Sequence, residues 1–432
     1  MSPFALGLSG FVVLCALLAL RAPIGIAVAI TGIGGIVILK GWDTAFYLLG
    51  TVPIEILSNY ALSTLPLFIL MGNVAVRAGL SQLLYEAIYV VVGRVRGGLA
   101  IATIIAAGGF SAVCGSSLAC ASTMAQVAAP QMLAYRYSPR LVGGSIAAGG
   151  TLGIMIPPST MMIIYAYLTE NSIGQLFIAG IVPGCILIAL FALVVMVWTW
   201  RRPEDAPLAA DQRRDWKKLF GVLPVLVLFG FLMGGIFVGL FTPTEGAAMG
   251  AAAAIVLAAV ARRLTWSLLF AALRDSALSS AVIYLIIIGT AFYQFFMEAS
   301  RLPGDLAEAI TQFDLNRYLV MVVIMLVLSG LGCLMESLGI MFLTVPVLYP
   351  LITALGFDPI WFGIVMVLLI EFGLITPPVG LNVFVLVSLV REISMRDAFI
   401  GIWPFLGAMI ALAALLLAFP QIALFLPQRM GP

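Results

Sequence analysis

An interrupted apolar pattern occurs twice in this chain, and its two copies lie 220 residues apart. The first copy covers residues 97–160. Proline makes up only 23 of the 432 residues, so an accidental match of prolines between the copies is a poor explanation. A gapless shift nevertheless places all prolines of residues 117–158 on prolines: Pro130 on Pro350, Pro139 on Pro359, Pro157 on Pro377 and Pro158 on Pro378. The chain is therefore predicted to be a duplicated unit.

Each copy starts with two apolar runs on either side of a short polar turn. The runs that flank Gly115-Ser116-Ser117 hold about 15 residues each, whereas a helix that spans a bilayer needs ~20. They predict a re-entrant hairpin over residues 97–133, and the repeat predicts a second one over residues 317–353.

A diproline follows each hairpin inside another apolar segment. Pro157 and Pro158 remove two backbone donors, so the helix predicted over residues 139–169 should unwind at membrane depth. The second copy predicts the same break in residues 359–390. One diproline could be only a kink, but its recurrence favours a functional break.

The composition excludes a soluble globular domain. Hydrophobic residues make up 63% of the chain and charged residues 9%, against about 25% charged residues in soluble domains. The apolar runs lack the alternation of a β-barrel, so the sequence predicts an all-α polytopic membrane protein. The absence of histidine excludes histidine proton relays, and the odd number of cysteines, all within apolar runs, argues against disulfides and thiolate metal sites.

A charged linker over residues 201–218 separates a first repeat, 1–200, from a second, 219–432. If the hairpins do not cross and each broken helix crosses once, each repeat crosses the membrane five times, and the two repeats are inverted. The other predicted segments are helices at 4–20, 23–39, 60–78, 174–200, 219–241, 243–261, 281–299 and 397–426, an amphipathic stretch at 81–97 along the membrane interface, and amphipathic arms near 264–280 and 301–315.

The positive charges agree with this topology. With both termini in the periplasm, 17 of the 21 basic residues face the cytoplasm, as the positive-inside rule requires. They are Arg21, Arg77, Arg94, Arg96, Arg136, Arg140, Arg201, Arg202, Arg213, Arg214, Lys217, Lys218, Arg262, Arg263, Arg274, Arg391 and Arg396.

Helices that end inside a membrane expose carbonyls at one terminus and amides at the other, with about half a unit of charge at each. Carbonyl ends suit a small hard cation, so the hairpin tips and the breaks are predicted to bind sodium. The predicted sodium-binding residues are Ser111, Cys114, Gly115, Gly153, Ile156 and Pro158 in the first repeat and Gly330, Gly332, Cys333, Glu336, Gly373, Thr376 and Pro378 in the second.

Three serines begin the returning arms of the hairpins, where hydroxyls and helix amides suit a carboxylate. Ser116, Ser117 and Ser337 are therefore predicted to bind the substrate, although the serine pair could simply hydrogen-bond within its helix. Charged side chains are rare in the apolar segments. Glu336 and Glu371 are the clearest exceptions, and either could neutralise a bound sodium ion.

The strings GGFSAVCGSS with IMIPPS, and GCLMES with LTVPVLYP and ITPPVG, resemble the large membrane subunit of tripartite ATP-independent periplasmic (TRAP) transporters. The likeness covers nearly the whole chain and includes TPTEG at residues 242–246. It implies an elevator-type, sodium-coupled importer of organic acids such as C4-dicarboxylates or sialic acids, located in the bacterial inner membrane. It also implies sodium ions at the hairpin tips and diproline breaks.

The resemblance further implies two protein partners: a periplasmic substrate-binding protein, and a small four-helix membrane subunit that is expected to be a separate chain. No nucleic-acid partner is expected, nor any cofactor apart from sodium as the coupling ion. A stand-alone sodium-carboxylate symporter or antiporter is the alternative. A membrane enzyme is disfavoured because the sequence offers neither a paired acidic motif nor a nucleophile beside a base.

Overall fold

The computed structural model describes residues 2–20, 22–207, 215–312 and 316–429. Within these ranges the protein is helical and contains no β-strand, so the predicted all-α membrane fold is confirmed. Three of the basic residues used in the topology prediction, Arg21, Arg213 and Arg214, lie outside the described residues, as does the middle of the predicted linker, 208–214.

The first half of the chain forms eleven described α-helices joined by short connections. They are α1 (Pro3–Ala19), α2 (Ile24–Lys40), α3 (Trp42–Leu57), α4 (Thr64–Arg77), α5 (Leu80–Val92), α6 (Gly98–Cys114), α7 (Ser117–Val127), α8 (Ala129–Ala134), α9 (Pro139–Met155), α10 (Thr160–Thr169) and α11 (Ile173–Arg201).

The helices of the second half include one very long element and again two interrupted ones. They are α12 (Leu223–Phe237), α13 (Pro243–Val260), α14 (Trp266–Ser300), α15 (Leu302–Gln312), α16 (Arg317–Gly332), α17 (Ser337–Ala354), α18 (Pro359–Ile375), α19 (Leu381–Leu389), α20 (Met395–Ala418) and α21 (Gln421–Leu424).

Helix α14 differs from the prediction of an arm near 264–280 followed by a separate helix at 281–299. It is one helix of 35 residues. The amphipathic stretch was predicted to be a separate arm, but Asp275 pairs with Arg77 of α4, and neither proline nor glycine interrupts the chain between residues 266 and 288. A charged pair on one face of a helix does not end it, because the backbone hydrogen bonds continue underneath.

Helix α3 was not predicted, since Asp43, Pro53 and Glu55 dilute its apolar pattern. It forms a pair with the following segment that is bent by 57°. In the second half the corresponding stretch is the continuous helix α14, so the two halves differ here. The six described helices that are long and apolar enough to cross a membrane become eight if each of two bent pairs forms one span. The ten crossings and the inverted orientation remain predictions.

Two groups of helices contain the most extensive helix–helix contacts. In one group, α9 contacts α6, α7, α18 and α20, and every residue from Leu141 to Met155 is buried. In the other group, α14 packs along α2 and α4, and α4 packs against α13. Because α9 and α18 are buried on nearly all sides, both helices end inside the protein. The first break is buried as well, whereas the second is exposed at Pro378.

Candidate ion and substrate site

The first hairpin turns within two residues. Helix α6 ends at Cys114, Gly115 adopts a left-handed conformation with φ of +62°, and Ser116 returns the chain to an extended conformation. Glycine suits this position because a Cβ atom would strain the left-handed backbone. Ser116 then caps α7, its Oγ accepting a hydrogen bond from the Ala119 amide at 3.5 Å. The C-terminus of one short helix and the N-terminus of another therefore meet at this tip.

The first break lies against this tip. Helix α9 stops at Met155 and α10 starts at Thr160, with a 40° bend and a cis Pro157–Pro158 peptide between them. The Thr160 hydroxyl donates to the Gly115 carbonyl at 3.0 Å, which ties the break to the hairpin. A Cβ atom on Gly153 would lie 2.8 Å from the Cα of Ser117, so only glycine lets the two backbones approach this closely.

The second copy repeats this arrangement with a wider turn. Helix α16 ends at Gly332, and α17 begins at Ser337 with Glu336 as its N-cap residue. Helix α18 ends at Ile375, before a cis Pro377–Pro378 peptide. The backbones of Gly332 and Gly373 are in direct contact, so this hairpin also packs against the end of its broken helix.

Both hairpin tips line one cavity of about 410 Å³. Three helices, α7, α10 and α17, begin at its wall, so their free backbone amides favour an anion inside it. Among the described residues, neither lysine nor arginine lines this space. Its polar lining consists of Asn73, Cys114, Ser116, Ser117, Thr160, Ser279, Glu336 and Ser337. The three predicted substrate-binding serines are therefore brought together in one cavity.

Ser117 also connects the two halves of the chain. Its Oγ lies 2.6 Å from Oε1 of Glu371, which is fully buried in α18. The other carboxyl oxygen of Glu371, Oε2, has no hydrogen-bond partner among the described residues. The sequence pointed to Glu371 as an intramembrane charge but gave no sign of this contact across 254 positions.

Asn382 is a polar residue that the sequence reasoning missed. It lies in the first turn of α19, is fully buried, and neither Nδ2 nor Oδ1 has a partner within the described part of the chain. A Cβ atom on Gly150 would lie 3.1 Å from its Nδ2, so the glycine of α9 makes room for the amide. Its position four residues after the second diproline could have identified it as a candidate site residue, because polar groups next to a helix break need hydrogen-bond partners.

The side chains of several predicted sodium-binding residues donate back to their own helices. Ser111 donates to the Ala107 carbonyl at 2.5 Å, Cys333 to Ser329 at 3.2 Å and Thr376 to Phe372 at 2.5 Å. Each keeps lone pairs but no free hydrogen, which suits a cation more than an anion.

Some of the remaining predicted sodium-binding residues lie at the contacts between a hairpin tip and a helix break, and others lie beside these contacts. Ile156 and Pro158 are buried at the first break, whereas Pro378 is exposed at the second. A Cβ atom on Gly330 would meet nothing within 4 Å, so Gly330 lies outside the contact that Gly332 makes. A second cavity of about 460 Å³ lies beside the second tip and break, and its lining includes Gly332, Cys333, Glu336 and Gly380.

Comparison with known proteins identifies the chain. Residues 11–422 match the family model described as tripartite ATP-independent periplasmic transporter, DctM component. This chain belongs to the DctM family. The predicted resemblance to the large TRAP subunit is thereby confirmed, and the chain is a subunit of a membrane transporter, not an enzyme.

Curated relatives of this DctM protein cover most of its length. The C4-dicarboxylate TRAP transporter large permease protein DctM of Pseudomonas aeruginosa is 34% identical over 87% of this chain and 88% of the relative. The sialic acid TRAP transporter large permease protein SiaM of Vibrio cholerae is 32% identical over 86% and 87%, respectively.

A solved structure is similar in fold alone. The Alcanivorax borkumensis YdaH transporter, whose crystal structure is described as having an unusual topology, gives a TM-score of 0.66 at 15% identity and covers 90% of both chains.

Proposed function

We propose that this DctM protein is the sodium-coupled permease of a binding-protein-dependent system that imports an organic anion across the bacterial inner membrane. The observation that carries the proposal is the shared cavity of about 410 Å³ between the two hairpin tips. Helix N-termini face the cavity, while the C-termini of α6, α9, α16 and α18 lie at the tips and breaks around it. This arrangement of helix ends provides an anion site in the cavity and separate cation sites at the tips and breaks.

The proposed substrate is a carboxylate of the C4-dicarboxylate or sialic acid class. The names of the relatives from P. aeruginosa and V. cholerae support this class. A relative from Halomonas elongata, 29% identical, is named an ectoine TRAP transporter large permease protein. In this chain the carboxylate would lie between Ser117 and Ser337. Backbone amides and hydroxyls would hold it, since no described residue that lines the cavity is an arginine.

The proposed sodium sites are the two contacts between a hairpin tip and a break. Gly153 and Gly373 allow the backbones to come close enough for carbonyls from both segments to reach one ion. Half-helix C-termini and unwound carbonyls are the groups that hold sodium in secondary transporters of this general design. A bound sodium ion would hold each hairpin tip in place before the anion enters. Anion binding would therefore depend on sodium, and the sodium gradient would drive uptake of the anion.

In the proposed cycle, α6, α7, α9, α10 and α16–α19 carry the substrate as one unit against a scaffold built on α2, α4, α13 and α14. The elevator movement would carry the cavity from the periplasmic to the cytoplasmic side, with both termini in the periplasm. The extensive contacts of α9 with α6, α7 and α18, and of α14 with α2 and α4, support this division.

The proposed partners are a periplasmic substrate-binding protein and a small membrane subunit. A relative from Oleidesulfovibrio alaskensis, named an isethionate TRAP transporter permease DctMQ, is 29% identical and matches 87% of this chain but only 61% of its own length. Its extra length supports a second membrane component that can be either fused or separate.

Transport in proteoliposomes tests the proposal. This chain would be reconstituted with the small subunit and the cognate binding protein, and uptake of labelled succinate and sialic acid would follow an inward sodium gradient. The proposal predicts uptake that stops when choline replaces sodium or when the binding protein is omitted. Uptake without the binding protein would support the stand-alone symporter instead, and sodium-independent uptake would reject the coupling.

A further inference from the structure

A groove on the outer surface of the protein lies between the C-terminal end of α11 and the first three turns of α20. Its volume is about 600 Å³, within the range of ~300–1,000 Å³ that ligand pockets occupy. Its apolar wall consists of Leu193, Val194 and Val197 of α11 and Ile400 and Pro404 of α20. None of the described residues that line it belongs to a hairpin tip or a helix break, so the groove is separate from the proposed substrate and sodium sites.

The charged residues that line the groove in the described part of the chain are both positive. Arg201 is the last residue of α11, Arg202 is its C-cap residue, and both are exposed. Neither guanidinium makes a hydrogen bond or an ion pair with another described residue. A guanidinium group presents a rigid fork of N–H donors that matches the oxygens of a phosphate group. The groove therefore combines an apolar wall with two unpaired groups that suit a phosphate.

The acidic residues near the groove do not neutralise these arginines. Asp205 accepts a hydrogen bond from Trp198 Nε1 at 2.8 Å, and Asp397 pairs with Arg140 at 3.1 Å. Glu204 is exposed and forms no ion pair with another described residue. No acidic residue is among the described residues that line the groove. The charge of the groove is therefore complementary to an anion that comes from outside the chain.

Two tryptophans indicate where the groove lies relative to the membrane. Trp198 and Trp403 both line it, and the side chain of Trp403 is 62% exposed. Tryptophan is enriched where lipid headgroups meet the hydrocarbon core, and arginine at a helix end extends its charged group toward the same level. An occupant of the groove therefore needs an anionic group at the headgroup level and an apolar part beside it. A phospholipid with a net negative charge has both, whereas a free phosphate ion lacks the apolar part.

We propose that an anionic phospholipid binds this groove, with its phosphate group at Arg201 and Arg202. One acyl chain lies along the side chains of Leu193, Val194 and Val197. Basic pockets between transmembrane helices hold anionic headgroups in other membrane proteins. Because α11 and α20 both contact α9, the lipid bridges two helices that support the first broken helix. The proposal does not depend on the proposed transport function.

Native mass spectrometry of the full-length chain tests this proposal. Delipidated protein in detergent would be titrated with phosphatidylglycerol and, separately, with phosphatidylethanolamine that carries the same acyl chains. Each arginine near an anionic lipid should strengthen binding about fivefold, so the first phosphatidylglycerol should bind roughly thirtyfold more tightly than phosphatidylethanolamine. The double variant Arg201→Gln/Arg202→Gln should lose this preference. Equal binding of the two lipids by the wild type, or an unchanged preference in the double variant, would overturn the proposal.

The matched control for the charges is Arg391→Gln/Arg396→Gln. It also removes two exposed positive charges, near the start of α20, but neither residue is among those that line the groove. This variant should keep the preference of the wild type for phosphatidylglycerol. An equal loss of preference in both double variants would show that only the general surface charge matters, which would overturn the site.

A second pair of variants tests the place of the acyl chain. Val197→Trp fills part of the groove and leaves both arginines in place, so phosphatidylglycerol should bind more weakly. Met196→Trp adds the same ring to an exposed neighbour outside the described lining and should bind the lipid as the wild type does. Excess inorganic phosphate should not displace the lipid. Displacement by phosphate, or wild-type binding by Val197→Trp, would overturn the assignment to a lipid. The binding assay needs no transport, so a failure of the proposed function would appear only in the uptake assay.

Discussion

A Cβ atom on Gly332 would lie 2.8 Å from the Cα atom of Gly373, so the tip of the second hairpin and the end of the second broken helix touch through bare backbone. In the first repeat the broken helix also touches its hairpin, but at the start of the returning arm, where a Cβ atom on Gly153 would lie 2.8 Å from the Cα atom of Ser117. In each repeat the hairpin and the broken helix therefore meet at a glycine, and the proposed sodium sites depend on these two contacts.

Substitution of Gly373 by alanine should impair sodium-dependent uptake. The new methyl group would collide with the backbone of Gly332, and overpacking of this kind typically costs about 1–3 kcal/mol. Uptake at limiting sodium should fall roughly tenfold or more, with recovery at higher sodium concentration. The measurement is the sodium concentration that gives half-maximal uptake in proteoliposomes.

Gly330→Ala is the matched control for this prediction. It adds the same methyl group to the same hairpin, but nothing lies within 4 Å of the new atom. The substitution also keeps the backbone carbonyl of Gly330, which is the group through which this residue was predicted to bind sodium. Its sodium dependence should equal that of the wild type. Equal behaviour of Gly330→Ala and Gly373→Ala would show that the contact does not matter for the ion.

Substitution of Ser337 by leucine should abolish uptake without preventing membrane insertion. The larger side chain would fill part of the cavity and block the first turn of α17, where the carboxylate is proposed to bind. Ser388→Leu is a suitable control because Ser388 is exposed on α19. Uptake and the amount of protein in the membrane fraction would be measured together. Normal uptake by Ser337→Leu would reject this part of the substrate site.

The hydroxyl pair between Thr64 and Thr244 should stabilise the contact of α4 with α13. Their Oγ1 atoms lie 2.7 Å apart, and both residues are buried. Thr64→Val leaves the hydroxyl of Thr244 without its partner, which should cost about 1–3 kcal/mol, whereas replacing both threonines with valine should cost less. Thermal unfolding of the single and double variants in detergent measures this coupling. Additive losses would contradict it.

The interrupted segments were predictable from the sequence because their signals are local. Two prolines in sequence prevent helical hydrogen bonding wherever they occur, and α9 and α18 end next to their diprolines. Gly153 and Gly373 could also be predicted locally, because a glycine just before a diproline permits two backbones to approach closely.

The contacts across the fold were not predictable in this way. The pairing of Ser117 with Glu371 joins residues 254 positions apart, and no periodicity encodes it. Asn382 was missed because a single asparagine in an apolar run resembles a packing residue until its burial is known. The continuity of α14 was missed because its first part is amphipathic and was predicted to be a separate arm, although Asp275 pairs with Arg77 on the neighbouring helix.

The most direct test of the paired contacts is the effect of sodium on the thermal stability of the purified chain. An ion that binds only the folded protein should stabilise it by roughly 2.7 kcal/mol at one hundred times its Kd. Unfolding would be compared in sodium chloride and choline chloride at equal ionic strength, for the wild type, Gly330→Ala and Gly373→Ala. The account predicts a sodium-specific rise in Tm that Gly330→Ala retains and Gly373→Ala reduces. Equal Tm values for the wild type in the two salts would contradict it.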